Sequence, residues 1–217
     1  FIKNKKILII SLSIIILIIF GFFGYEEIQK NKKNKIAEKY NSTIIDFISA
    51  DKTNVKNKLI QIINEKDSTY SPLALYFIID NEIDASKEEI NKYFDVMIEE
   101  TNLEKEIKNL IIYKKGLFNS DHVSENSLIQ ILNPLINSDS VWKSHALYLM
   151  AEYFLYKNQN QKAKEFYNQI LSFEKSNQNI KLEAQKKTGR PSASFATTSF
   201  FFSKNHQFQS RIVIIHD

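Results

Sequence analysis

Two groups able to do acid–base chemistry sit two helical turns apart in "KSHALYLMAEYFLYKNQNQKAKEFYNQIL": His145 and Glu152. They are the natural first candidates for a reacting pair, because an imidazole and a carboxylate on one helix face could move a proton between them. The rest of the chain gives them little company. The other histidines are His122, in the polar run "NSDHVSEN", and His206 and His216, near the carboxy end. There is no Cys, so thiolate metal sites and disulfides are excluded. No H-E-x-x-H, Gly-rich phosphate loop or G-x-S-x-G occurs. Carboxylates such as Glu88–Glu89 and Glu99–Glu100 are adjacent in sequence, so they point to different sides of a helix and read as solvated. No nucleophile–base pair emerges. The expectation is a protein that is not an enzyme and needs neither metal nor cofactor.

The elements that carry these residues are helical. Only 4 Gly and 3 Pro occur in 217 residues, which disfavours turn-rich β architectures. The net charge of +4 is unevenly spread. Residues 36–187 hold 19 Lys against 22 Asp and Glu, a net of −3. A mildly acidic body lacks the basic patch that nucleic-acid binding requires. Four segments follow: residues 1–6 as a flank, 7–24 as a membrane anchor, 25–187 as a helical body, and 188–217 as a tail of different character. The chain opens on Phe1, from which a missing native start is expected.

The anchor is "ILIISLSIIILIIFGFFG", Ile7–Gly24, 18 residues without a charge. At 1.5 Å per residue it spans about 27 Å, near the hydrocarbon thickness of a bilayer. No A-x-A cleavage pattern follows, so an uncleaved span is expected rather than a signal peptide. Lys3, Lys5 and Lys6 precede it and Lys30, Lys32, Lys33 and Lys35 follow. That count does not favour a cytoplasmic N-terminus and leans weakly against it.

Within the body, apolar residues recur at three and four positions, as at Ile36, Tyr40, Ile44, Phe47 and Ile48, or Val55, Leu59, Ile62 and Ile63. Four helix pairs are predicted: 36–50 with 54–65, 71–80 with 87–100, 103–118 with 124–137, and 140–157 with 160–173. A helix at 177–187 closes the stack. Ser71 ahead of Pro72, Ser86 with Glu89 three positions on, and Ser124 or Ser127 are the expected caps. Pro134 is expected to tighten or kink the end of its helix. The first helices begin every 32 to 37 residues, the period of a tetratricopeptide-type array. The expected fold is therefore all-α, an N-terminal transmembrane helix followed by about four tetratricopeptide-like pairs. In the fourth pair Leu147, Ala151, Phe154, Ala163 and Tyr167 fall at the large, small and aromatic packing positions of such a repeat. The other three pairs are degenerate: Gly116, Leu128 and Leu132 have the right order in the third, which lacks the later small residue.

The anchor, the stretch "STYSPLALYF", and Trp142, Ala146, Ala151, Lys157, Asn160, Ala163, Phe166 and Tyr167 in the last hairpin together resemble the YfgM-like family, ancillary subunits of the SecYEG translocon. The resemblance covers Ile7 to Lys187. It implies a single-span inner-membrane protein with a cytoplasmic N-terminus and a periplasmic repeat domain. Its implied partners are the Sec translocon, periplasmic chaperones or emerging secretory chains, with no small-molecule substrate. The body departs from relatives rich in Ala, being rich in Lys, Asn and Ile. A scaffold assembling another envelope complex, unrelated to secretion, is the alternative.

The tail from Thr188 changes register. Both Arg, Arg190 and Arg211, lie there, while 26 of 27 Lys precede it. Disorder or a non-native end is expected.

Repeat geometry recasts the opening pair. The first helix of a tetratricopeptide hairpin lines a concave groove. Counted from Ser144, the groove positions are His145, Tyr148, Glu152, Leu155 and Tyr156, a face distinct from the Leu147–Ala151–Phe154 stripe. Two tyrosines and a carboxylate on one face suit a peptide better than a proton transfer.

Overall fold

A computed structural model describes residues 5–48 and 52–189, so the tail beyond Gly189 lies outside the described residues. Among the described residues the architecture is all-helical, with no strand. The first helix, α1 (Lys5–Ile48), runs for 44 residues. By length and composition it can cross a membrane, and its most apolar window buries nothing against the rest of the protein. The apolar segment and the polar segment after it form one continuous helix, unbroken at Gly24.

The last three turns of α1 change role. Ile36 and Thr43 become buried, and Tyr40, Ile44 and Phe47 half-buried, against α2 (Lys52–Asn64) and α3 (Tyr70–Asp80). Tyr40 meets Tyr70 at 5.8 Å and Phe47 meets Phe77 edge-on at 5.1 Å between ring centroids. Ile48, expected on that stripe, instead points outward, 78% exposed. On α2 the expected stripe of Val55, Leu59, Ile62 and Ile63 is wholly buried.

Three helix starts show how local chemistry decides boundaries. At α4 (Lys87–Asp95) the capping box forms as expected: Glu89 N–H donates to the Ser86 hydroxyl, and Ser86 N–H to the Glu89 carboxylate. At α3 the expected cap is displaced. Asp67 takes that work, its carboxylate accepting from the N–H groups of Thr69 and Tyr70. Ser71 lies inside the first turn, where its hydroxyl donates to Ile62 O at 2.7 Å and ties α3 to α2. Before α6 (Glu125–Ile136) the cap is Ser124, which accepts from the N–H of Ser127. Pro134 sits within α6, two residues from its end, and the helix continues over it to Ile136.

A turn of π-helix, Val96–Glu100, widens the end of α4, and the Thr101 hydroxyl closes it by donating to Val96 O. Then come α5 (Lys105–Asn119), α6, α7 (Lys143–Tyr156), α8 (Asn160–Ser172) and α9 (Gln178–Thr188). Each helix packs on its sequence neighbour, the most extensive pairing being α7 with α8.

Two apolar cores result. The first draws on α1 to α5 and the second on α5 to α9. They meet at α5, where Ile111 faces the first and Ile112 the second. Seven of the polar contacts between helices share a similar separation, while others, such as Asn91–Asn119 and Asp95–Lys115, are closer in sequence. Lys32–Glu65, Lys56–Glu89, Lys66–Glu100, Glu106–Ser140, Glu125–Lys162, Asp139–Lys175 and Glu152–Lys187 are all 33 to 37 positions apart. Exposed pairs of this kind contribute only about 0–1 kcal/mol each, so they follow from the helix packing rather than create it.

Candidate functional site

Helix α7 holds all five residues of the proposed groove face, and the helices around it treat them very differently. His145 lies in an aromatic nest. Its ring is 4.9 Å from that of Trp142 and 5.7 Å, edge-on, from that of Tyr113 on α5. Trp142 stacks on Tyr113 at 5.6 Å and 24° between planes. Burial pushes the Tyr113 phenol up to about 12, so it stays neutral and acts as an apolar wall with one donor.

Glu152 is taken by the return helices. Its carboxylate accepts a 2.5 Å hydrogen bond from the Tyr167 hydroxyl on α8 and lies 3.6 Å from the Lys187 ammonium on α9. Burial first, and then this hydrogen bond to Glu152, hold the Tyr167 phenol well above its ordinary range. Seven residues of helix separate His145 from Glu152, a rise of about 10 Å. Each therefore has its own partners, and the two do not converge on one reacting atom.

The other three positions grade outward. Tyr148 is half-buried, its ring edge-on to Tyr167 at 5.9 Å. Leu155 is half-buried against the second core. Tyr156 is 77% exposed, with the Lys157 ammonium 5.7 Å from its ring centroid. The face is thus filled at its start by Tyr113 and Trp142, clamped midway by Tyr167 and Lys187, and open at its end.

The packing positions all turn inward. Leu147, Ala151, Phe154, Ala163 and Tyr167 are at most 1% exposed. Phe154 stacks on Phe166 at 5.4 Å. In the neighbouring pair Gly116 is the small residue that lets α6 approach α5. A Cβ there would lie 2.4 Å from Leu132 Cδ2 and 3.0 Å from Leu132 Cγ. His122 is exposed in its loop. Among the described residues no three of His, Asp and Glu gather as metal ligands would.

Sequence reasoning passed over Trp142 and Tyr113 as neighbours of His145, and Lys187 as partner of Glu152. One signal for Lys187 was present: it lies one stacking period beyond Glu152. Compared with protein-family models, with curated proteins and with solved structures, the chain matches none.

Proposed function

We propose that this chain is a membrane-anchored, tetratricopeptide-like scaffold that binds proteins and performs no catalysis of its own. The observation that carries the reading is the ladder of cross-layer contacts 33 to 37 positions apart, carried behind a helix of membrane-spanning length. Stacked pairs of that period build extended surfaces that suit a polypeptide rather than a small molecule. The open end of α7, with Tyr156 exposed and Tyr148 and Leu155 half-buried, is the part of the groove face left for a client.

The resemblance to ancillary translocon subunits gives the reading its setting: a cytoplasmic N-terminus, a periplasmic body, and the Sec translocon with emerging chains or chaperones as partners. Photo-crosslinkers at positions 148 and 156, followed by capture of the detergent-solubilised chain, test it. Adducts with translocon subunits or secretory chains are expected. Adducts confined to another envelope complex favour the assembly-scaffold reading instead. A reporter fused after Lys187 that works only in the cytoplasm overturns the periplasmic placement.

A further inference from the structure

The segment of α1 between its apolar stretch and the helical body carries Lys30, Lys32, Lys33 and Lys35, all exposed. Lys32 lies 3.9 Å from Glu65, and the other three have no ion-pair partner among the described residues. At 100° per residue the four ammonium groups encircle the helix, with no gap wider than about 140°. A stripe would suit one face of a protein partner. A collar suits a partner that surrounds the helix on every side.

Depth points the same way. Counting 1.5 Å per residue from Gly24, Lys30 stands about 9 Å and Lys35 about 16 Å beyond the end of the apolar segment. The headgroup layer occupies roughly the first 5–8 Å outside the hydrocarbon. Side chains on a helix lean toward its N-terminus, which here is the direction of the membrane. The lysine stems therefore lean back toward the headgroups, which brings Lys30 nearest to them and leaves Lys35 to act across the intervening water, within about one Debye length, 8–10 Å. Phe22, Phe23 and Tyr25, each more than 60% exposed, stand at the same end of the span, where aromatic rings settle at an interface. Glu26 and Glu27 lie between the rings and the lysines, and the Glu27 carboxylate accepts a hydrogen bond from the Asn31 amide. Four lysines outweigh these two carboxylates.

We propose that Lys30, Lys32, Lys33 and Lys35 form a collar that gathers anionic lipid headgroups around the exit of α1. The inference rests on α1 crossing the membrane, and the test separates the two. The full chain is reconstituted in phosphatidylcholine vesicles containing a minority of phosphatidylglycerol, washed with alkaline carbonate, and probed with spin-labelled lipids of both kinds. The retained chain is expected to prefer the anionic lipid about fivefold or more at low salt, the factor one lysine near a charged surface supplies. High salt and the K30Q/K32Q/K33Q/K35Q variant are both expected to bring the ratio towards one. The corresponding arginine variant is expected to keep it. Removal of the chain by carbonate overturns the span and the collar together. A retained chain with no anionic preference, or a preference surviving in the glutamine variant, overturns the collar alone.

Discussion

The two cores solve one packing problem with different residues. The first is built from Ile36, Val55, Leu59, Ile62, Ile63, Leu75, Ile78, Ile90, Met97 and Ile111, with Phe94 as its one buried ring and Ala74 as its one small member. The second has aliphatic members too, among them Leu128, Leu132, Leu135, Leu147 and Ile170, and adds to them four alanines, Ala146, Ala151, Ala163 and Ala184, and three buried rings, Tyr153, Phe154 and Tyr167. Branched aliphatic chains fill the space between helices at an ordinary distance. Alanines bring the backbones together and leave room for a ring beside each close approach. The cross-helix polar contacts are 33 or 34 positions apart around the first core and 34 to 37 around the second, so a similar spacing accommodates both solutions. What differs is how tightly each core depends on a few positions.

The largest test removes a ring from the second core. Phe154→Ala should cost about 3–5 kcal/mol, measured by urea unfolding of the full chain in detergent. Leu59→Ala in the first core should cost about 2–5 kcal/mol. The comparison is sharpened by hydrogen exchange. Phe154→Ala should release amides of α7 to α9 and leave α2 to α4 protected, with the reverse for Leu59→Ala. Equal loss of protection throughout would show that the two cores open as one unit.

Next in size is a test of close approach. Gly116→Ala places a methyl group against Leu132, which is fully buried and has little room to move. Overpacking costs about 1–3 kcal/mol, and alanine returns roughly 1 kcal/mol of helix propensity. The net expectation is a destabilisation of about 0–2 kcal/mol, the overpacking cost less the propensity gain. Leu132→Ala in the same chain should remove the clash, so the double mutant is less destabilised than the two single changes added together. Simple additivity would mean that the α5–α6 approach is not set by this contact.

The same contrast explains which parts of the molecule could be read from its residues. Helix periods and the Ser86–Glu89 box are local, and the residues announce them. The buried stripe of the fourth pair is legible because small and aromatic residues recur along it at regular spacing. The Ile-rich pairs have no such pattern, since Ile, Leu and Val interchange freely at similar volume. Ser71 does not cap α3 because Asp67, four residues earlier, takes the N–H groups of the first turn, and the Ser71 hydroxyl donates instead to Ile62 O on α2. The surroundings of His145 and Glu152 depend on Tyr113, Tyr167 and Lys187, from three other helices. No local rule places those side chains. The stacking period supplies the distance to Lys187, although not its direction.

The clamp on Glu152 gives a smaller test, confined to the second region. Tyr167→Phe deletes the hydroxyl that donates to Glu152 and should cost about 1–3 kcal/mol, since a part-buried carboxylate loses a partner. Its pH dependence has a definite sign. The Tyr167 phenol titrates higher in the folded chain than its ordinary value near 10. Its contribution is therefore complete below about pH 10 and is lost as pH rises from there through the folded value. The phenylalanine variant should show a shallower loss of stability on the alkaline side.

The smallest test sets one local contact against one long-range contact. Glu89 and Asp139 both titrate below the usual carboxylate range. For Glu89 the main cause is the N–H of Ser86, three residues away, and for Asp139 it is the hydrogen bond from Lys175, a stacking period away. In both cases stability is present above the unfolded-state value of about 4 and is lost as pH falls through the lower folded value. Glu89→Gln and Asp139→Asn should each flatten the acid limb of the stability curve. Salt separates them. The Asp139–Lys175 pair is exposed on both sides and is a hydrogen bond between two free charges, so its share of the acid limb should fade at high ionic strength. The Glu89 share should persist, because its main partner is a backbone N–H held in a capping box, which salt screens less than a pair of free charges. If both fade alike, the helix cap is held by the Lys56 charge facing Glu89 across the layers rather than by the box, and the local reading of that turn fails.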